Sequence, residues 1–143
     1  MRPDRVLLVD DEETFLEVLA ERLRSRGLDV TCATSGEEAL EVAEGSAFDA
    51  VLLDLAMPGL DGIETLRRLR AAEPEIQVMI LSGRATVDTA VEAMRLGAID
   101  ILEKPAEVEV LVERIREARA KRLAEEDHAT EEQIEEILRT RGW

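Results

Sequence analysis

The sequence predicts a doubly wound α/β domain: a five-stranded parallel sheet in the order 2-1-3-4-5, with helices on both faces. Two observations carry that expectation. Short unbroken apolar runs at 6–9, 50–53 and 78–81 are each followed by a turn signal and a helical pattern. Central strands of a parallel sheet, buried on both faces, read in this way. Two other stretches alternate instead, Leu28, Val30 and Cys32 around Asp29 and Thr31, and Ile99 and Ile101 around Asp100. Alternation marks a strand with one face exposed, so these two belong at the sheet's edges. Edge positions for strands two and five fit the order 2-1-3-4-5, and alternating βα units call for right-handed crossovers.

The elements follow in chain order. The run 6–9 is strand one, and the turn after it carries Asp10 and Asp11. Strand two ends ahead of Ser35-Gly36-Glu37-Glu38, where a capping side chain is followed three residues later by Glu, the start of a helix. Strand three ends at Asp54, and Asp61-Gly62-Ile63-Glu64 repeats the same start signal. Strand four closes at Ser82, and Lys104 follows strand five. Val108, Leu111, Val112 and Ile115 have the spacing of a helix packed on one face. The domain is expected to span 1–124. An acidic break, Glu125-Glu126-Asp127, then opens a C-terminal helical extension over 125–143. There Thr130 and Gln133 resemble a capping box, and Ile134, Ile137 and Leu138 form a short apolar stripe, with Trp143 beyond it.

Composition narrows the function. A chain of 143 residues makes one domain of ordinary size, and 45% hydrophobic with 36% charged residues describes a folded globular protein. Acids outnumber bases 33 to 18, for a net charge of −15. Such a surface repels phosphate backbones and anionic membranes, so no direct nucleic-acid contact and no membrane association are expected. The densest basic stretch, 114–122, is interrupted by acids and reads as a solvated helix face. The single cysteine, Cys32, excludes an internal disulfide and reads as a small core residue. Strand-like sequence begins within a few residues of the start, and no apolar run approaches the roughly 18 residues of a membrane helix. A cytoplasmic location is the resulting expectation.

Ligands of open α/β sheets bind beyond the carboxyl ends of the strands, where the strand order reverses. Here that point falls between strands one and three, whose ends carry Asp10, Asp11 and Asp54. Each aspartate could instead cap the helix after it, as Asp11 could before Glu12. Capping does not explain why acids from two different strands gather at the reversal point. Converging carboxylates repel one another, and a hard divalent cation relieves that repulsion; carboxylates, a carbonyl and retained waters are the ligands Mg²⁺ prefers. Ser82 and Lys104 arrive at the same edge. A carboxylate, a metal, a hydroxyl and an ammonium together suit phosphoryl transfer.

Val9-Asp10-Asp11-Glu12, Leu53-Asp54-Leu55-Ala56-Met57-Pro58-Gly59-Leu60-Asp61-Gly62, Leu81-Ser82-Gly83 and Leu102-Glu103-Lys104-Pro105 together resemble the response-regulator receiver domain, over about residues 4 to 122. The resemblance implies a flavodoxin-like fold and a phospho-accepting domain of two-component or phosphorelay signalling rather than an enzyme acting on other molecules. It implies Asp54 as phosphoacceptor, and Asp11, Asp54 and the backbone carbonyl of Ala56 as Mg²⁺ ligands, with Asp10 acting through water. Lys104 and Ser82 would hold the phosphoryl oxygens, and the Lys104–Pro105 bond would be cis. The stretch 84–98 is most similar to receivers of nitrogen-regulatory activators, which continue into ATPase and DNA-binding domains not represented in these residues. Expected partners are a sensor histidine kinase or phosphotransfer protein and a downstream protein partner, and a homodimer is compatible. Ala56 and Arg84 would flank the approach of a hydrolytic water without a group to orient it, so the phosphoryl group should be lost slowly.

One position departs from the pattern. Ile101 stands where many receivers carry Tyr or Phe, and it cannot serve as an aromatic switch; the alternative reading is that it simply packs the edge strand. The extension, with its stripe at Ile134, Ile137 and Leu138, is expected to dock on the output face or on a partner, against the alternative of a frayed tail. Two other chemistries fit less well. A dehalogenase-type phosphohydrolase needs Asp-x-Asp after strand one, and here Glu12 takes the second position. A flavin module needs flanking aromatic rings, and the chain has no Tyr and one Trp. A receiver-like domain that no longer takes phosphate would not need every motif position filled.

Overall fold

The computed structural model describes residues 2–83 and 85–140, with 126–130 as backbone only. Five strands alternate with five helices: β1 (Arg5–Val9), α1 (Glu13–Ser25), β2 (Asp29–Ala33), α2 (Gly36–Ala43), β3 (Ala50–Leu53), α3 (Gly62–Ala72), β4 (Val78–Ser82), α4 (Val87–Arg95), β5 (Asp100–Glu103) and α5 (Val108–Thr140). The strands form one sheet in the order β2-β1-β3-β4-β5, every pair parallel.

The period of two along each central strand divides the core into two layers. Val6, Leu8, Leu52, Met79 and Leu81 face α1 and α5, where they meet Leu16, Leu19, Leu23, Leu111 and Ile115. Leu7, Val9, Val51, Leu53 and Ile80 face the other way and meet Ala39, Leu66, Leu69 and Ala93. Both faces being covered, β1, β3 and β4 are apolar at nearly every position, whereas β2 and β5 are only partly buried. Ile101 packs its side chain against the second layer.

The helix starts predicted at Ser35 and Asp61 are formed. Ser35 Oγ accepts from the Glu38 N–H at 3.1 Å, and Asp61 Oδ1 accepts from the Glu64 N–H at 2.8 Å. At the start of α4, Thr86 and Thr89 cap each other reciprocally, a box that pattern reading for Glu or Gln passes over. Gly62 opens α3 directly beneath the end of β3. A Cβ there would stand 2.4 Å from the Asp54 carbonyl oxygen and 2.4 Å from Leu55 Cα, so only glycine lets the helix approach the strand end this closely.

The C-terminal region differs from the expectation. Glu125-Glu126-Asp127 does not interrupt the chain, and α5 runs through it as one helix of 33 residues. Glutamate is a good helix former, and no Gly or Pro occurs between Val108 and Thr140. The expected cap at Thr130 therefore has no helix start to serve. Ile134, Ile137 and Leu138 are 52%, 51% and 36% exposed, so the stripe does not dock on its own domain. Trp143 lies outside the described residues.

Candidate functional site

Strand register builds the site. Val9 pairs with Leu53, so the next residues, Asp10 and Asp54, leave neighbouring strands side by side. The Asp54 N–H still donates to the Val9 carbonyl at 3.0 Å, which fixes the aspartate at the strand end. Across β4, Ser82 pairs with Glu103, and the Lys104 N–H donates to the Ser82 carbonyl at 3.3 Å. Three strand ends thus deliver a carboxylate, a hydroxyl and an ammonium to one point, and β1 adds a second carboxylate. The Lys104–Pro105 bond is cis, as expected.

Asp54 is buried, and its two oxygens are held differently. Oδ1 accepts from Ser82 Oγ at 2.7 Å and from the Ala56 N–H at 3.2 Å. Oδ2 stands 3.5 Å from Lys104 Nζ. Asp10, also buried, is bonded to Lys104 Nζ and accepts the Glu12 N–H at 2.9 Å. Burial pushes the Asp10 carboxyl above its ordinary range and the charge of Asp54 adds to this, against the opposing bonds from Lys104 and the Glu12 N–H. Lys104 is moved in the same direction by a different balance. Burial would lower it, but its bond to Asp10 and the charges of Asp10, Asp54 and Glu12 outweigh burial and raise it.

A hollow of about 260 Å³ opens here, lined by Asp11, Glu12, Asp54, Ala56, Gly83 and Lys104. Among the described residues, the acids whose oxygens come within 4.8 Å of one another are Asp10, Glu12 and Asp54. Glu12 is the residue that pattern reading left out; its adjacency to the aspartate pair was the available signal. Asp11 lies exposed on the rim of the hollow. It does not cap α1, whose capping residue is Glu12, with no side-chain capping bond. Arg84, expected to flank the approach of water, lies outside the described residues; Ala56 is exposed and lines the hollow.

An open parallel α/β sheet with a buried carboxylate, a hydroxyl and an ammonium gathered at its carboxyl edge presents the groups that phosphoryl transfer uses. Comparison with known proteins makes this specific: residues 6–116 match the response regulator receiver domain model, and the chain belongs to that family. It is a receiver of the kind used in phosphorylation-based two-component signalling. It is 40% identical over 126 residues to the transcriptional regulatory protein ZraR of Klebsiella oxytoca, covering 88% of this chain and 28% of that protein. The receiver domain protein (CheY-like) from Methanospirillum hungatei superposes with a TM-score of 0.82 at 27% identity, over 86% of this chain and 98% of that one. NtrX from Brucella abortus gives 0.82 at 29% identity over 89% of this chain and 29% of its own, in keeping with the nitrogen-regulatory character read from 84–98.

One expectation is overturned. The curated relatives are transcriptional regulatory proteins, and the chain spans from about a quarter to about half of their length. The exclusion of nucleic acid therefore fails: the acidic charge describes the surface of these 143 residues and says nothing of what a transcriptional regulator carrying them contacts. As to membranes, no helix among the described residues is long and apolar enough to cross one.

Proposed function

We propose that Asp54 is the phosphoacceptor of this receiver, and that Lys104 and Ser82 hold the phosphoryl oxygens as it is loaded. The observation that carries this reading is the unequal treatment of the two Asp54 oxygens. Oδ1 is engaged by two donors, whereas Oδ2 faces the hollow's lysine and carries the attack. The carboxylate oxygen forms a bond to phosphorus as the bond to the donor breaks. The pair of electrons leaves with the imidazole of a phosphohistidine, or with acetate when acetyl phosphate is the donor. Lys104 stabilises charge gathering on the equatorial oxygens. Ser82 at present donates to Asp54 itself, so its hydroxyl must exchange that acceptor for a phosphoryl oxygen.

The residues present fit a magnesium ion. The hollow is lined by hard oxygen donors and is acidic, and Asp10 is held at a cost that a divalent cation would relieve. Asp11, Asp54 and the Ala56 carbonyl would hold it, since all three residues line the hollow. Asp10, already engaged by Lys104 and the Glu12 N–H, would act through water. Bound there, the ion would offset negative charge on the carboxylates and on the incoming phosphoryl group.

The test is labelling by acetyl phosphate in the presence of Mg²⁺. The chain is expected to gain one phosphoryl group, and Asp54→Asn to gain none, because an amide is not a competent nucleophile. Full labelling of Asp54→Asn would place the acceptor elsewhere.

A further inference from the structure

Phe15 sits in the first turn of α1 with its ring partly buried against the α1/α5 layer of the core. The Nζ of Lys104 stands 4.3 Å from the centroid of that ring. The same ammonium is bonded to Asp10 and lies 3.5 Å from Asp54 and 3.6 Å from Glu12, and its side chain is only 13% exposed. Carboxylates and one aromatic face thus share the surroundings of a cation that has lost most of its water. The ring's contribution differs in kind. Its negative face attracts the ammonium without bearing a net charge. A further carboxylate in that place would also hold the lysine, but it would repel an incoming phosphoryl group. An aliphatic side chain would fill the core and leave the lysine free to follow Asp10 or Glu12.

We propose that Phe15 is a positioning residue for phosphoryl transfer: its ring holds Lys104 Nζ beside the hollow, and it acts on the reaction only through that lysine. This rests on the reading of Asp54 as phosphoacceptor. Phe15→Leu keeps the apolar contact and removes the ring, whereas Phe15→Trp keeps a ring face of at least equal strength.

The experiment measures single-turnover labelling by acetyl phosphate at saturating Mg²⁺ for the wild-type chain, F15L, F15W, K104M and F15L/K104M. F15L is expected to label about fivefold more slowly, F15W to recover to within about twofold of wild type, and F15L/K104M to match K104M. F15W as slow as F15L would overturn the proposal, and so would F15L slowing the reaction by the same factor in the K104M background. A wild-type chain that labels at Asp54, with F15L at full rate, overturns this inference alone. A wild-type chain that fails to label, or label persisting in D54N, overturns the reading of the site and this inference with it.

Discussion

Asp49, just ahead of β3, is fully buried and held by arginines from both ends of the chain. Arg2 donates to it twice, at 2.8 and 3.0 Å, Arg122 of α5 donates at 2.9 Å, and the Arg5 N–H donates at 2.8 Å. Burial alone would raise its carboxyl, but the Arg2 bonds, the Arg5 N–H and the charges of Arg2 and Arg119 outweigh burial and hold it below the ordinary value of 3.8. A carboxyl lowered on folding stabilises the native state fully above that ordinary value, and the gain is lost as pH falls through the lower folded value. Asp49→Asn is therefore expected to destabilise the domain by about 3 kcal/mol at neutral pH, since it removes the carboxylate that neutralises the buried Arg122. The difference from wild type should shrink as acid titrates the wild-type carboxylate. Urea unfolding across a pH series measures both, and a pH-independent difference would show that the ion pairs are not its source. Nothing in the sequence near Asp49 marks it, because its partners lie 44 to 73 residues away. Phe15 escaped notice for the same reason: read locally, it is an apolar helix residue. Asp10, Asp54, Ser82 and Lys104 were legible because each directly follows or ends a recognisable strand, and topology alone brings strand ends together.

At the scale of elements, the central strands could be read from unbroken apolar runs, the edge strands from alternation, and α2 and α3 also from their caps, because burial on two faces or on one leaves a distinct pattern. The end of α5 could not. Its body-facing residues, Val108, Leu111, Val112, Ile115, Ala118 and Arg122, keep helical spacing. Beyond them that stripe stops, and an acidic cluster followed by a cap-like Thr suggested a break. Backbone propensity decides the matter where packing no longer does, and glutamate-rich sequence without Gly or Pro continues the helix. The consequence is testable. Residues 131–140 are exposed throughout, and a stretch that buries so little contributes little to stability. Ending the chain after Glu125 is expected to change unfolding stability by less than about 0.5 kcal/mol, with an unchanged denaturant slope. A fall of several times that size would show that residues 126–143 pack on the domain after all.

The molecule as a whole places its buried charges at two opposite poles of the sheet. At the amino-terminal edge Asp49 is surrounded by arginines, and charge is balanced within the protein. At the carboxyl edge, among the described residues, Asp10, Glu12 and Asp54 share the ammonium of Lys104, with Asp11 nearby. Among the described residues that pole carries excess negative charge, on a chain whose net charge is already −15. Like charges in a half-buried hollow raise the free energy of the native state relative to an unfolded chain that separates them. A divalent cation that binds the folded hollow and not the unfolded chain must therefore stabilise the fold, by about 2.7 kcal/mol at a concentration a hundredfold above its dissociation constant. General screening by salt acts on all exposed charges alike and does not select this pole. Thermal unfolding in millimolar MgCl₂ is expected to show a midpoint several degrees above that in NaCl of equal ionic strength. Asp11→Ala is expected to remove most of that excess, because it takes away a donor on the rim while leaving the buried Asp10–Lys104 pair in place. Equal midpoints in the two salts, or an undiminished excess in Asp11→Ala, would show that the hollow is not where the ion acts.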